Sequence, residues 1–243
     1  MDRLAAFAIL AFQATATLSL IGAVPTPAAA ADADGNPVVV ELFTSQGCSS
    51  CPPANANLTA ISTRPDVLAL SFGVTYWDYL GWKDSFASPD FTQRQYNYER
   101  SLHRATAYTP QMVVNGAADL VGNSADELDR FIAAAKRDAS APATRIALAA
   151  DAVSLSAGTA PADPADVWLV RYDPNIVEVP IARGENGGRT LPHKNVVHEL
   201  VRLGTWTGDA ARFELPAAAA SGLKTAILVQ SAYAGPILAA ATD

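Results

Sequence analysis

The chain holds two cysteines, Cys48 and Cys51, and both fall in one Cys48-Ser49-Ser50-Cys51 motif. The apolar, β-branched run Val38–Phe43 stands before the motif, and Pro52-Pro53 follows it directly. No wider disulfide framework is possible. A bridge across so short a loop is worth only about 2 kcal/mol of chain entropy, against ~3 for a loop of fifteen residues. The spacing therefore suits thiol chemistry better than stapling. It also constrains the local fold. A continuous apolar run reads as a buried strand, and two prolines suit the first turn of a helix, where an N–H has no partner. Arg64-Pro65-Asp66 ends that helix, and Val67–Val74 is a second buried strand. The result is a βαβ unit with the thiols at its first turn.

Further along, the aromatic stretch Tyr76–Lys83 is too broken by Asp, Gly and Lys for a simple strand. Ser88-Pro89-Asp90 predicts a helix start with a capping serine, a proline at the first position and an acidic first turn, running to about Arg104. Thr109-Pro110 precedes a strand over Gln111–Val114, Asn115-Gly116 makes a hairpin turn, and Ala117–Val121 returns. Ser124, with Glu127 placed for a capping box, opens a helix to about Ala139. Around Ala139–Pro142 the helical period stops. Eight short strand patterns follow: 144–149, 153–157, 166–172, 177–183, 195–203, 212–215, 225–232 and 237–240. Short strands separated by turn signals predict an all-β, sandwich-like unit of about 100 residues. The expected organisation is a leader over residues 1–31, an α/β domain over 36–140 and an all-β domain over 143–243.

The leader reads as an export signal. Arg3 supplies a positive start, Leu4–Val24 is apolar, and Ala28–Ala31 offers small-residue cleavage positions. Polar Gln13, Thr15, Thr17 and Ser19, with Pro25 and Pro27, argue against a retained span. The mature chain is thus expected outside the cytoplasm, periplasmic or secreted, with no membrane anchor after cleavage and in a compartment where disulfides persist. A net charge of −7 argues against nucleic acid or an anionic membrane as partner. Composition and length suit a globular chain with a large core or two domains.

The attacking form of a redox cysteine is the thiolate, and a helix N-terminus favours it through unpaired N–H groups and the positive end of the macrodipole. Cys48, at the cap with the more exposed sulfur, is the expected nucleophile toward protein or small-molecule thiols and disulfides. Cys51, one turn inward, is the expected resolving residue, and the pair cycles between dithiol and internal disulfide. Two bland readings stand beside this one: a structural disulfide in a non-catalytic binding module, and a soft-metal carrier in which two thiolates hold Cu(I). A closed zinc site needs two more ligands, no second CxxC exists, and His103, His193 and His198 are distant in sequence. No resident metal or cofactor is expected. Trp77, Tyr79 and Trp82 are read either as core packing or as an aromatic substrate wall near the thiols. The glycine-rich 183–189 segment reads as a long hairpin turn, since it lacks the strand-to-helix setting of a phosphate loop.

The order of strand, CxxC at a helix start, strand, helix and Thr109-Pro110 before a hairpin resembles the thioredoxin fold. The resemblance implies a cis bond at Pro110 facing the thiols, with the backbone at Thr109 pairing an extended substrate. It also implies a proton-accepting carboxylate for Cys51, a place that Glu41 matches if one residue is inserted before Cys48. More narrowly, Glu41-Leu42-Phe43-Thr44-Ser45-Gln46-Gly47-Cys48-Ser49-Ser50-Cys51-Pro52-Pro53, with Tyr76–Trp82 and Tyr108-Thr109-Pro110-Gln111, resembles the DUF1223 family of secreted bacterial proteins of unknown function. The fold implied is a thioredoxin-like α/β domain followed by an all-β, sandwich-like C-terminal domain. Gly47 stands where thioredoxins carry a tryptophan, and the Ser-Ser dipeptide differs from theirs.

Overall fold

The computed structural model describes residues 36–138 and 143–243. The expected leader and the 139–142 boundary segment lie outside the described residues. The first part of the chain runs β1 (Val38–Thr44), α1 (Pro52–Ile61), β2 (Val67–Gly73), α2 (Pro89–Ser101), β3 (Gln111–Val114), β4 (Ala118–Leu120) and α3 (Ala125–Asp138). The second part is all strand: β5 (Ile146–Leu148), β6 (Ala152–Leu155), β7 (Ala165–Pro180), β8 (Thr190–Trp206), β9 (Ala211–Glu214), β10 (Lys224–Gln230) and β11 (Ile237–Thr242). Among the described residues no helix is long and apolar enough to cross a membrane.

β1 is buried along its whole length because both faces of its sheet are covered. It pairs in parallel with β2 and antiparallel with β3. Its side chains alternate between two cores. Val38, Val40 and Leu42 pack with Leu58 of α1 and with Leu128 and Ile132 of α3. Val39 and Phe43 pack on the other face with Phe72, Phe91 and Tyr98 of β2 and α2. Local chemistry fixes the ends of these elements. The Ser88 hydroxyl accepts the Asp90 N–H at the start of α2, and the Ser124 hydroxyl accepts the Glu127 N–H at the start of α3. At the β3–β4 turn, Asn115 and Gly116 both take positive φ, +48° and +64°, the pairing a tight hairpin turn needs.

The C-terminal strands differ from a free-standing sandwich. Among the described residues only β5, β6 and β9 form a separate sheet. β7, β8, β10 and β11 extend the first sheet into one of eight strands, ordered β11-β10-β7-β8-β2-β1-β3-β4. The join is a parallel bridge between Ser71 of β2 and Val196 of β8. The sandwich-like packing is local: the small sheet closes over the outer strands through Val153, Leu155, Val167, Leu169, Trp206, Ile227 and Val229. Two strands expected over 166–172 and 177–183 are one bulged strand, β7. That strand and β8 make a long hairpin whose tip reaches the Cys48 turn.

Candidate functional site

Cys51 is the N-cap of α1, Pro52 is its first residue, and Cys48 sits in the turn before it. This places each sulfur one step earlier than the sequence reading, which had Cys48 at the cap and Cys51 inside the helix. The turn is closed by the Cys51 N–H donating to the Cys48 carbonyl at 3.3 Å, and the Cys51 carbonyl accepts the Asn55 N–H at 3.1 Å. Both cysteines are free thiols and both are buried, with relative exposures of 0% for Cys48 and 1% for Cys51. The expected exposure of Cys48 is therefore corrected: the cysteines are buried while Ser49 and Ser50 between them are exposed.

The thiols are pushed in opposite directions. Cys48 is lowered from 9.0 to about 6, first by the hydrogen bond from the Cys51 side chain, with Ser50 and Thr109 adding to it against the cost of burial. Its sulfur lies 3.2 Å from Ser50 Oγ. Cys51 is pushed far up, first by burial and then by its neighbour Cys48. One sulfur is thus held as thiolate and the other as its proton donor. The helix start contributes less than the sequence suggests, because Pro52 and Pro53 carry no N–H.

The Thr109–Pro110 bond is cis and borders the thiols. The Thr109 carbonyl faces Ser50 Oγ at 3.5 Å and Cys48 Sγ at 3.9 Å. The Thr109 hydroxyl accepts the Trp77 indole N–H at 2.7 Å. Trp82 donates to Gln46 Oε1 at 2.9 Å, two residues before Cys48. Trp77 and Trp82 thus brace the two segments that flank the thiols. Tyr79 does not join them; it is 78% exposed.

Glu41 is a second correction. It lies on the Val39/Phe43 face of β1, while α1 and Cys51 lie on the Val40/Leu42 face. An even step along a strand keeps the face and an odd one changes it. Glu41 is fully buried and taken up by Arg94, whose Nε reaches Oε1 at 2.6 Å and whose second nitrogen reaches Oε2 at 3.1 Å, and by the Tyr98 hydroxyl. It is not the proton acceptor for Cys51. The polar side chains on the thiol face are Thr44 and Asn55, with Asn55 Nδ2 donating to Thr44 Oγ1 at 2.9 Å.

Sequence reasoning missed the residues that hold the turn from outside. Gln46 is fully buried; its N–H donates to Asp84 Oδ2 at 2.7 Å and its Nε2 to Ser85 Oγ at 2.9 Å. Asn186, at the tip of the β7–β8 hairpin, is also fully buried and donates to the carbonyls of Gln46 and Cys48 at 3.0 and 2.8 Å. Glu185 accepts from Ser49 N–H and Oγ–H at 2.9 and 2.7 Å. The only signal was the glycine-rich 183–189 turn, and nothing in its spacing says what it touches. Among the described residues no group of three or more His, Cys, Asp or Glu side chains stands together as a metal site.

A family model described as a protein of unknown function, DUF1223, matches residues 39–230, a span that includes the thiol turn, Thr109-Pro110 and the hairpin tip. The chain belongs to the DUF1223 family. An Agrobacterium tumefaciens protein known from an X-ray crystal structure is 32% identical to this DUF1223 chain, with a TM-score of 0.71 over 84% of this chain and 92% of that one. HBP35 of Porphyromonas gingivalis is 14% identical, with a TM-score of 0.58 over 86% of this chain and 74% of that one, which is a likeness of fold alone. A comparison with curated proteins finds no match. Two clefts, of about 790 and 980 Å³, open elsewhere on the DUF1223 chain, and neither is lined by Cys48 or Cys51.

Proposed function

We propose that this chain is an exported, thioredoxin-like thiol–disulfide oxidoreductase acting through Cys48 and Cys51 on protein or small-molecule thiols and disulfides. The observation that carries the reading is geometric: Cys48 and Cys51 meet at the start of α1, with Cys48 Sγ 3.2 Å from Ser50 Oγ and 3.9 Å from the Thr109 carbonyl, and the lowered Cys48 and raised Cys51 support it. Pairs of titratable groups whose surroundings drive them apart mark assigned chemical roles.

The Cys48 thiolate attacks one sulfur of a partner disulfide. The partner's S–S bond breaks, one partner thiolate leaves, and a mixed disulfide forms. Cys51 loses its proton and attacks Cys48 Sγ in that mixed disulfide. The second partner thiolate leaves, and a Cys48–Cys51 disulfide remains. Two electrons have passed from the dithiol to the partner, and the reverse sequence oxidises a partner dithiol. The Thr109 backbone, beside Cys48 Sγ, is the edge available to an extended partner chain. Export follows from the leader's charge and apolar pattern and suits a disulfide-permissive compartment.

The test is a turnover assay in defined thiol–disulfide buffers with the Cys48→Ala protein as control. Turnover in the wild type that disappears in the variant is expected. Equal activity in the two, or none in the wild type in any buffer, sinks the reading. A second reading, a binding module whose thiol pair only stiffens a turn, is favoured by the burial of both cysteines. It predicts partner capture that survives replacement of both.

A further inference from the structure

An attacking sulfur must meet its target in line, yet Cys48 is 0% exposed. The chain around it is held from outside by a segment 136 residues further on, the tip of the β7–β8 hairpin. Gly184 lies against Gly47, close enough that a Cβ at Gly184 would stand 3.6 Å from Gly47 Cα. Glu185 takes both donors of Ser49, and Asn186 takes the carbonyl of Cys48 itself. The tip therefore touches the residue before Cys48, the residue after it, and its own backbone.

These contacts are not equal. Asn186 is fully buried, is held in turn by Arg189 Nη1 at 2.7 Å, and cannot leave without stranding two carbonyls. Glu185 and Ser49 are both exposed, so water can replace each bond as it breaks. Gly184 and Gly188, at φ +78° and +83°, bracket the tip with backbone conformations that other residues rarely take. A firm anchor beside a water-replaceable contact is the construction of a segment that opens locally while its base stays in place.

We propose that the Gly184–Glu185 tip is a gate that holds the Cys48 turn closed, hinged at Asn186 and latched by the Glu185 carboxylate on Ser49. Opening lets the turn move, so that Cys48 Sγ can leave its contacts with Ser50 and Thr109, and frees the Ser49 N–H and O–H as donors for a carbonyl or carboxylate on the incoming partner. The gate is a specificity device, since a partner that offers such an acceptor beside its sulfur replaces the latch as it docks. This inference rests on Cys48 being the reacting sulfur of the oxidoreductase proposed above.

The test is the alkylation rate of Cys48 by iodoacetamide in the reduced wild type and in Glu185→Ala, followed by mass spectrometry of the Cys48 peptide over a pH series. The plateau rate at high pH reads access, and the midpoint reads the thiolate. Loss of the carboxylate's charge moves only the midpoint. A plateau raised about tenfold in Glu185→Ala is expected, the size of a modest shift in a local opening equilibrium. A smaller gain is expected in Glu185→Gln, which keeps one acceptor oxygen. Equal plateaus in wild type and Glu185→Ala overturn the gate. This readout needs no turnover, so failure of the gate and failure of the redox reading are seen in separate assays.

Discussion

Strand β1 has a polar centre on each face, and the two are built to opposite ends. On the α2 face, Glu41, Arg94 and Tyr98 close on one another, and Gln230 Nε2 completes the Tyr98 hydroxyl at 3.0 Å. The Arg94 guanidinium also lies 5.3–5.8 Å from the rings of Tyr98, Phe72 and Trp168. Burial works against its charge, and Glu41 overrides that cost and holds it protonated. On the α1 side, Cys48 and Cys51 are buried together and their thiols are pushed in opposite directions. Both centres are buried. A buried polar cluster is thus not in itself a reactive one. The ion pair satisfies its own members, while the thiol pair leaves one sulfur with a lowered pKa.

Cutting the ion pair separates the two most sharply. Replacing Arg94 by leucine leaves Glu41 buried without its counter-charge, an effect of about 3–5 kcal/mol on stability. Denaturant unfolding is expected to show that loss. The fraction that remains folded should alkylate Cys48 at the wild-type rate. A stability loss under ~1 kcal/mol would mean the ion pair contributes little, and a changed Cys48 midpoint would mean the two faces are coupled.

The thiol side is broken through Cys51. Its hydrogen bond is the first cause of the low Cys48 value, so Cys51→Ala is expected to raise the Cys48 alkylation midpoint from about 6 by at least one unit, or ~1.4 kcal/mol. An unmoved midpoint would assign the shift to Ser50 and Thr109 instead. The sign for stability follows. Cys48 ionises at a lower pH folded than unfolded, so its contribution is full above the unfolded thiol value of 9.0 and is lost as pH falls through about 6. Unfolding of reduced wild type against Cys48→Ala at several pH values checks this, and the difference between them should shrink toward acid.

Much of this was legible in the sequence, and the remainder has a physical reason for being hidden. The order from β1 to α3 follows from runs, caps and breakers that act within a few residues: Pro52-Pro53, Ser88-Pro89, Asn115-Gly116 and Ser124. Cys48 and Cys51 are read the same way, whereas the roles of Thr109 and Pro110 are expected only from the fold resemblance. Glu41 was misplaced because one inserted residue in a turn reverses the facing of a strand position, and sequence does not print that register. The joined sheet was missed because it depends on one bridge between Ser71 and Val196, 125 positions apart in number, with no local mark on either. Asn186 and Glu185 were missed for the same reason, since their partners lie across the fold.

Trp77→Phe should have a smaller effect. An aromatic ring stays, smaller than the indole, and the N–H donated to the Thr109 hydroxyl at 2.7 Å is lost. That is about 1 kcal/mol in stability. If the bond also orients the Thr109 backbone for a partner, KM for a peptide disulfide should rise several-fold while the Cys48 alkylation plateau stays put. A change in the plateau with KM constant would make Trp77 part of the cover over Cys48 instead.

The smallest effect belongs to Tyr79, and it limits how far the thiol centre extends. Tyr79 lies in a 3-10 turn over Asp78–Leu80 between two tryptophans that both touch the site, yet it is 78% exposed. Its neighbours are fixed by indole N–H bonds to Thr109 and Gln46; Tyr79 has no such tie among the described residues. Tyr79→Ala should change stability by no more than ~0.5 kcal/mol and leave Cys48 alkylation unaltered. If the same substitution nonetheless weakened turnover with a large protein disulfide but not with a small one, the ring would be a docking contact outside the gate. The aromatic wall read from the sequence would then be a surface for partners, formed by Tyr79 alone rather than by all three aromatics.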